Sequence, residues 1–414
     1  MCYAAVMRLF ALLLLPALAA AACVGDDNGN GPGDSGAPDT ASPPLDAAPE
    51  AEASAPADAA LQCEAGTADC DPNTPGCETD VLTSDTNCGS CGHDCGGTNS
   101  CVAGVCQPMA IATNVSSPIS LSVSGTSVFW MVDTEVQRCP VTGCTTQYPG
   151  DVGDGVHVAK YSTSGASYIT ADNTNVYFVG WTSDNGTNGI YYCALAGCGL
   201  YPPSGLATSD DYALEVAGNT KNLYWLNGSD GFLMRVRKSD GNAKNLGIPY
   251  LTSLFDVAAD DGHVLITDSS AAVNGGGLYV CGDPQNDCTT FVKLLDDARN
   301  VTTNGTLAFV SQSTNAIVSC DLTNGCSGSG TPVTPSEAGL VAITADASAV
   351  YWAIKGSGSN GTIRACALPD CPGGPRTLAS NQSNPRSIVN DQDFVYWANG
   401  GTTANTGSIM RVRK

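Results

Sequence analysis

Phe394-Val395-Tyr396-Trp397 is the last of seven similar apolar stretches along this chain of 414 residues. Each stretch contains an apolar doublet, and the seven doublets are Phe129-Trp130, Tyr177-Phe178, Tyr224-Trp225, Leu265-Ile266, Ala308-Phe309, Tyr351-Trp352 and Tyr396-Trp397. The second members of successive doublets lie 48, 47, 41, 43, 43 and 45 residues apart. A nearly constant step indicates one supersecondary unit that is used seven times.

Each repeat unit contains four short apolar segments. One aliphatic residue precedes the doublet at a fixed interval, except that Val301 lies one residue closer, which predicts a shortened turn in unit five. After the doublet come a third segment and a short fourth one, such as Arg376-Thr377-Leu378-Ala379. Four strands per unit predict a blade of a β-propeller. The Tyr-Trp doublets resemble the YWTD group of propellers, although most units lack the Thr-Asp, so the resemblance implies shared architecture only.

The two ends of the repeat region match each other. Residues 110–121 align without gaps to residues 377–388, and five of the twelve positions are identical, including Asn114 with Asn381 and Pro118 with Pro385. The last unit ends after its third strand, at Lys414. We therefore predict an all-β, seven-bladed β-propeller over residues 108–414, whose last blade is completed by an N-terminal strand that removes the open seam.

Ten cysteines lie inside the repeat units at short spacings. The pairs are Cys139 and Cys144, Cys193 and Cys198, Cys281 and Cys288, Cys320 and Cys326, and Cys366 and Cys371. Each pair brackets the turn between the third and fourth strands, which predicts five local disulfides. Units three and seven carry Val236 and Val412 instead, so the fold does not depend on any single bridge.

Residues 63–107 form a small cysteine-rich segment with almost no aliphatic core. It contains Cys63, Cys70, Cys77, Cys88, Cys91, Cys95, Cys101 and Cys106. Four disulfides are the favoured prediction, with one of 105 connectivities, and zinc binding at Cys88, Cys91 and Cys95 is the alternative. Gly76-Cys77-Glu78-Thr79-Asp80 and Asn87-Cys88-Gly89-x-Cys91-Gly92-x-x-Cys95 resemble the cysteine-rich segment of myxobacterial-type surface lipoproteins, which implies a location at the cell surface.

The N-terminal residues predict export. Arg8 is followed by a short apolar run, and Ala20-Ala21-Ala22 precedes Cys23, which is typical of a signal peptide over residues 1–22. The small residues before Cys23 also resemble a bacterial lipobox, which implies that Cys23 is lipidated. The alternative is an ordinary signal peptide cleaved at an Ala-x-Ala site. We predict a lipid-anchored, surface-exposed protein of the outer membrane, or else a secreted one.

Charge restricts the possible partners. The chain has 40 acidic and 17 basic residues, a formal net charge of −23, which disfavours nucleic acid and anionic lipid head groups as direct partners. Residues 24–62 carry eight acidic side chains and no Lys or Arg. Such a composition predicts a disordered tether over residues 23–62, which leaves the lipid as the predicted membrane contact.

A binding surface is predicted in the loops that join the second and third strands. In unit two this loop combines Trp181 with Asp184, Asn185 and Asn188. An aromatic ring beside amides and a carboxylate suits a sugar or a peptide. The alternative is that Trp181 packs on the neighbouring blade.

The predicted first strands supply a second candidate site. Glu215, Asp256 and Asn300 stand directly before the inner aliphatic residue in consecutive units, and such oxygens would hold Ca²⁺, as in lactonase-like propellers. The alternative is a hydrated channel that tolerates polar side chains. No Ser/His/Asp set or phosphate loop is visible in the sequence. We favour a monomeric binding module for a protein or glycan, without a required cofactor, over a calcium-dependent hydrolase or lyase.

Overall fold

The computed structural model describes residues 63–414 apart from 72, 75, 98–99, 133–134, 145–156, 161–167, 183–186, 199–203, 210–212, 228–231, 248–250, 252, 270–275, 283–287, 289, 327–328 and 404. The described residues belong to one unit, Ala60–Lys414. The predicted signal peptide, tether and lipidation site at Cys23 lie outside them.

The cysteine-rich segment contains two small hairpins, and a longer strand follows it. These strands are β1 (Thr67–Ala68), β2 (Thr79–Asp80), β3 (Cys101–Val102), β4 (Val105–Cys106) and β5 (Met109–Val115). Strand β1 pairs with β2, and β3 pairs with β4.

Seven four-stranded antiparallel sheets follow, and each sheet is one blade. Blade one contains β6 (Leu121–Ser124), β7 (Ser127–Val132), β8 (Glu135–Pro140) and β9 (His157–Lys160). Blade two contains β10 (Ile169–Ala171), β11 (Asn175–Thr182), β12 (Thr187–Ala194) and β13 (Ser204–Ser209). Blade three contains β14 (Ala213–Gly218), β15 (Asn222–Asn227), β16 (Leu233–Arg237) and β17 (Ala243–Asn245).

The other four blades repeat this order. Blade four contains β18 (Leu254–Ala259), β19 (Val264–Asp268), β20 (Gly277–Cys281) and β21 (Val292–Leu295). Blade five contains β22 (Val301–Thr303), β23 (Leu307–Ser311), β24 (Ile317–Asp321) and β25 (Thr331–Thr334). Blade six contains β26 (Leu340–Ala345), β27 (Ala349–Ile354), β28 (Gly361–Ala367) and β29 (Arg376–Gln382). Blade seven contains β30 (Pro385–Asn390), β31 (Phe394–Asn399), β32 (Gly407–Arg413) and β5.

The N-terminal strand closes the ring, which confirms the predicted seven-bladed fold. Strand β5 pairs with β32 in blade seven, with Ala112 opposite Ile409. Ile111 and Val115 of β5 belong to the apolar cluster shared by blades seven and one. The two ends of the propeller region are therefore joined by both hydrogen bonds and burial.

The apolar doublets hold each blade to both of its neighbours. Adjacent side chains on a strand point to opposite faces of the sheet. Tyr396 accordingly packs in the cluster shared with blade one, while Trp397 packs in the cluster shared with blade six. Both side chains are fully buried. The doublet is conspicuous in the sequence because this second strand is covered on both sides.

Blade five corrects the predicted position of one doublet. Val301 lies opposite Val310, as Ile343 lies opposite Trp352 in blade six. The residues equivalent to the doublet are therefore Phe309-Val310 instead of Ala308-Phe309. The predicted shortened turn at Val301 is wrong, because the interval between the first and second strands is the same as in the other blades.

An acidic residue explains why the doublet often begins with tyrosine. Asp391 Oδ1 accepts hydrogen bonds from the backbone amides of Asp393 and Phe394, which closes the turn after the first strand. The hydroxyl of Tyr396 donates to Asp391 Oδ2 at 2.6 Å. Tyr177 and Tyr351 donate in the same way, each to the aspartate five residues before it. The tyrosine thus ties the second strand to the turn that precedes it.

Nine disulfides are present among the described residues. Five are the intrablade pairs, Cys139–Cys144, Cys193–Cys198, Cys281–Cys288, Cys320–Cys326 and Cys366–Cys371. Four hold the cysteine-rich segment, Cys63–Cys77, Cys70–Cys91, Cys88–Cys101 and Cys95–Cys106. So many disulfides indicate an extracellular or secreted protein. In the described part of the chain, no helix is long and apolar enough to span a membrane.

Candidate functional site

The antiparallel order of the strands gives the propeller two different faces. We call the upper face the one formed by the loops between second and third strands and by the connections from blade to blade. The lower face carries the turns between first and second strands and between third and fourth strands, including the five intrablade disulfides. The cysteine-rich segment contacts the lower end of blade seven, where Arg411 donates a hydrogen bond to the Gly96 carbonyl.

The first strands of all seven blades line a central cavity of about 630 Å³. At its upper rim each blade contributes the residue before its inner aliphatic side chain. These rim residues are Ser120, Tyr168, Glu215, Asp256, Asn300, Ala342 and Ser387. The candidate site is this rim together with the upper part of the cavity.

Several rim side chains connect neighbouring first strands, which are not partners in any sheet. Ser387 Oγ accepts a hydrogen bond from the backbone amide of Leu121 in blade one at 3.2 Å. Asp256 Oδ2 likewise accepts from the amide of Val301 in blade five at 2.8 Å. These bonds satisfy backbone donors that the blade sheets leave unpaired. The rim therefore has a structural role that the sequence analysis did not assign to it.

Glu215 and Asp256 form an acidic pair at the rim. Burial raises the pKa of Asp256 to about 7, and the backbone amides of Val301 and Val257 oppose this rise. Burial also raises the pKa of Glu215 well above its usual value, and the nearby charge of Asp256 raises it further, whereas a hydrogen bond with Tyr168 opposes the shift. Two adjacent carboxyl groups in such a place retain a proton near neutral pH. The pair can consequently donate a hydrogen bond as well as accept one.

The predicted calcium ligands come from consecutive blades, but their oxygens already have partners. Both carboxylate oxygens of Asp256 accept backbone hydrogen bonds. Asn300 Oδ1 accepts from the hydroxyl of Ser311 at 3.1 Å, and its amide nitrogen donates to the Val341 carbonyl. A Ca²⁺ ion would have to share these oxygens with the protein. The calcium site at Glu215, Asp256 and Asn300 stays a prediction.

A thiolate zinc site is not formed in the cysteine-rich segment. Among the described residues, the only group of three or more metal-binding side chains with suitable spacing is Cys88, Cys95 and Cys106. Each of these sulfurs belongs to a disulfide, as does that of Cys91. The alternative with zinc at Cys88, Cys91 and Cys95 is therefore wrong.

The predicted binding loop of blade two can be located only in part. The backbone of Trp181 pairs with that of Asn188, so both residues lie at the upper end of the strands that flank the loop. Asn188 is half-buried. Asp184 and Asn185 lie outside the described residues, and so does the side chain of Trp181. Binding by these four residues stays a prediction, as does the packing alternative for Trp181.

Two residues of the site escaped the sequence analysis, Phe255 and Arg386. Each is the extra residue of a β-bulge in a first strand, directly before Asp256 and Ser387. Phe255 is 42% exposed, and both residues line the cavity. A bulge re-aims a side chain because it interrupts the alternation of the strand. The apolar pattern of the sequence does not reveal such a bulge, although it does show Phe255 directly before Asp256.

Comparison with known proteins identifies the fold and leaves the family open. No family model matches the sequence, and no curated protein matches it significantly. A chain in the nidogen/laminin complex is 12% identical, with a TM-score of 0.43, over 62% of this chain and 93% of that one. BamB from Moraxella catarrhalis is 10% identical, with a TM-score of 0.41, over 72% and 83%.

A third solved structure is more similar in shape. The WD40 β-propeller domain of Doa1 is 11% identical, with a TM-score of 0.53, and the match covers 74% of this chain and 97% of that one. At such low identity the likeness supports the fold alone. Function has to be argued from the site itself.

Proposed function

We propose that this protein is an exported binding module that recognises a protein partner through the upper face of its propeller. The observation that carries the proposal is Phe255, an exposed aromatic side chain held by a bulge at the rim of a polar cavity. Exposed aromatic residues on a rigid frame are typical anchors of protein interfaces. The surrounding rim is fixed by hydrogen bonds between blades, so binding would require little ordering of the backbone.

The acidic pair suggests which partner side chain enters the cavity. Glu215 and Asp256 retain a proton because burial disfavours two charges so close together. A lysine or arginine from a partner would stabilise the ionised pair, while Phe255 packs against the apolar part of the same segment. We therefore expect the recognised segment to combine a basic residue with an apolar one.

A selection from a random peptide library tests this expectation without knowledge of the partner. Peptides selected on the wild-type protein should be enriched in Lys or Arg next to apolar residues. The same peptides should bind the Phe255→Ala/Glu215→Gln double variant at least about tenfold more weakly, which corresponds to about 1.4 kcal/mol. Val292→Ala is the matched control, because Val292 is 56% exposed on the outer strand of the same blade.

Three results would count against the proposed site. Equal binding to the wild type and the double variant would place recognition elsewhere. If the selected peptides were not enriched in Lys or Arg, the acidic pair would have no part in recognition. Binding of neutral glycans from a glycan array, abolished in a Trp181→Ala/Asp184→Ala variant and unaffected by Phe255→Ala, would favour a glycan partner at the loop of blade two.

Calcium is tested separately on the same protein. A Ca²⁺ site made by Glu215, Asp256 and Asn300 predicts that millimolar Ca²⁺ raises the melting temperature of the wild type and leaves that of Glu215→Gln unchanged. Equal melting temperatures with and without Ca²⁺ would remove the metal site and, with it, the main support for a calcium-dependent hydrolase or lyase.

The location we propose is the outer surface of the cell, with a lipid on Cys23 as the anchor. Disulfides throughout the described residues agree with an extracellular location, and the acidic segment 24–62 has the composition of a tether. Mass spectrometry of the mature protein should find a diacylated Cys23 as its first residue, and Cys23→Ser should release the protein from membranes. An unmodified mature N-terminus at another residue would refute the anchor.

A further inference from the structure

Exposed apolar side chains are concentrated in the cysteine-rich segment. Among the described residues, five large apolar side chains are exposed, and three of them, Leu82, Val102 and Val105, belong to this segment. They are 42%, 54% and 54% exposed, and the other two, Phe255 and Val292, lie in blade four. Single exposed apolar residues are ordinary on a protein surface. A contiguous group of them on so small a segment is a candidate interaction surface.

The β3–β4 hairpin places the two valines side by side. Val102 pairs with Val105, and the neighbouring pair is Cys101 with Cys106. Because side chains alternate between the two faces of a strand, the cysteines and the valines point to opposite faces of the hairpin. Both cysteines are buried, and each is fixed to the rest of the segment by a disulfide. The hairpin therefore presents its valine face to the solvent.

Leu82 joins the two valines in one surface. Its carbonyl oxygen accepts a hydrogen bond from the backbone amide of Gly104, in the turn between the valines, at 3.0 Å. Its side chain lies over Gly66, and Leu82 Cδ2 would lie 3.5 Å from a Cβ added at Gly104. The leucine side chain thus reaches the turn of the hairpin. We call Leu82, Val102 and Val105 the hairpin patch.

The backbone beneath the hairpin patch is tightly constrained. The central residues of the turn, Ala103 and Gly104, have φ angles of 52° and 75°, as in the tight two-residue turns of β-hairpins. Gly89 packs against this turn so closely that a Cβ there would lie 2.6 Å from the Gly104 carbonyl oxygen. A partner would consequently meet a surface whose shape is already fixed, so binding would cost little ordering of the backbone.

Neither the core of the segment nor its contact with the ring uses the hairpin patch. The buried cluster of the segment consists of cysteines alone, Cys88, Cys95, Cys101 and Cys106. The recorded contacts with the ring come from the loop of residues 93–97, where Arg411 donates a hydrogen bond to the Gly96 carbonyl. Polar residues at the three patch positions would leave both features intact. Recognition is therefore a better explanation for the apolar side chains than folding.

The charge around the hairpin patch is negative. Residues 63–107 contain seven acidic side chains and no Lys or Arg. Asp80 lies two residues before Leu82 and accepts hydrogen bonds from the Thr83 hydroxyl at 2.6 Å and from the Leu82 amide at 2.8 Å. These bonds, chiefly that from Thr83, lower the pKa of Asp80, so it is ionised at neutral pH. Neither partner is a cation, so the negative charge beside the patch is not neutralised by them.

We propose that the hairpin patch binds a partner protein through an apolar segment that is flanked by lysine or arginine. The apolar residues of the partner would cover the leucine and the two valines, and its basic residues would approach the carboxylates at the edge of the patch. A second copy of this chain or an anionic lipid surface would bring further negative charge against the seven acidic residues, which disfavours both. The inference concerns a different surface from the upper face and does not depend on the function proposed for that face.

Fluorescence anisotropy with labelled peptides tests the inference on the whole protein. The probe is Lys-Arg-Val-Leu-Val-Arg-Lys, and its counterparts are Gln-Gln-Val-Leu-Val-Gln-Gln, without the charges, and Lys-Arg-Ser-Ser-Ser-Arg-Lys, without the apolar residues. We expect the probe to bind at least about tenfold more tightly than either counterpart. Its affinity should fall as NaCl rises from about 50 to about 500 mM.

A double variant removes the apolar surface but keeps the shape of the side chains. Val102→Thr/Val105→Thr should bind the probe at least about fivefold more weakly, at an unchanged melting temperature, because both positions are exposed. Val292→Thr is the matched control, since Val292 is an equally exposed valine on the outer strand of blade four. It should bind the probe like the wild type.

Hydrogen–deuterium exchange locates the bound probe without any substitution. Exchange at residues 80–82 and 101–106 should slow when the probe is bound. Slower exchange at residues 254–257 alone would overturn this inference and support the function proposed for the upper face. Failure of one proposal can thus be told apart from failure of the other.

The remaining outcomes would also overturn the inference. They are absence of binding, equal binding of the three peptides, or undiminished binding by the Val102→Thr/Val105→Thr variant. Dimerisation of the wild type that this variant abolishes, without binding of the probe, would assign the hairpin patch to a second copy of this chain. Binding to phosphatidylcholine vesicles that the variant abolishes, again without binding of the probe, would assign it to a neutral membrane surface.

Discussion

The two acidic side chains at the rim of the cavity are suited to binding but lower the stability of the fold. Glu215 and Asp256 are placed where burial raises the pKa of each carboxyl group, although a neutral residue would avoid that cost. Asp256 has a structural reason to be there, since its carboxylate binds the amide of Val301 in the next blade. Glu215 has no comparable backbone contact among its described interactions. It is therefore the better residue for measuring how much stability the acidic pair costs.

Glu215→Gln should change how stability depends on pH. A carboxyl group whose pKa is raised on folding binds more protons in the folded protein, so its contribution to stability falls as pH rises from its usual pKa towards the raised one. The melting temperature of the wild type should therefore fall between about pH 5 and pH 8 more steeply than that of the variant. Glutamine can still accept the hydrogen bond from Tyr168. At pH 8 the variant should therefore unfold at a higher temperature than the wild type.

Asp240→Asn serves as the control for this measurement. Asp240 is exposed and its pKa is lowered, chiefly by a hydrogen bond from the amide of Asn242. It is already ionised across the range from about pH 5 to pH 8, so its removal should leave the slope unchanged. A Glu215→Gln protein with the same slope as the wild type would mean that the pair is not protonated at neutral pH.

The strands show which parts of the fold could be predicted from the sequence. The second strands were found in six blades because burial on both faces makes them continuous apolar runs, as in Tyr351-Trp352. Blade five was misaligned by one residue, because Ala308, Phe309 and Val310 are all apolar and the alternation alone cannot fix the register. The bulges at Phe255 and Arg386 were not predicted, since they depend on how a first strand pairs with its neighbour.

The closing strand β5 gives a prediction at this scale. Deleting residues 109–114 should lower the melting temperature far more than deleting residues 63–106, because β5 contributes Ile111 to the core between blades seven and one and pairs along β32. The deletion would expose apolar side chains and unpaired backbone groups at the seam. Thermal unfolding of the two variants measures the difference. Equal melting temperatures would show that the ring does not depend on this strand for closure.

At the scale of the whole molecule, contacts between distant segments of the chain hold the cysteine-rich segment against the propeller. His93 Nε2 lies 3.2 Å from the carbonyl oxygen of Lys414, more than 300 residues later. Gly96 approaches Phe394 so closely that a larger residue would collide with its ring, and Gly97 lies against the end of the Met109 side chain. Neither cysteine spacing nor repeat analysis contains information about such a contact, which is why the cysteine-rich segment was predicted only as a neighbour of the propeller in sequence.

Arg411→Gln tests whether this contact holds the cysteine-rich segment on the ring. The substitution removes the hydrogen bond to Gly96 and the stacking on Phe394, a loss of about 1–3 kcal/mol for a bond made by a charged donor. Hydrogen–deuterium exchange should become faster at residues 93–97 and along β5, and should stay unchanged in blades three to five. Arg235→Gln is the matched control, because Met234–Lys238 in blade three has the same sequence as Met410–Lys414 in blade seven but does not contact the cysteine-rich segment through its arginine. Exchange at residues 93–97 that stayed unchanged in Arg411→Gln would show that Arg411 is not what holds the segment on the ring.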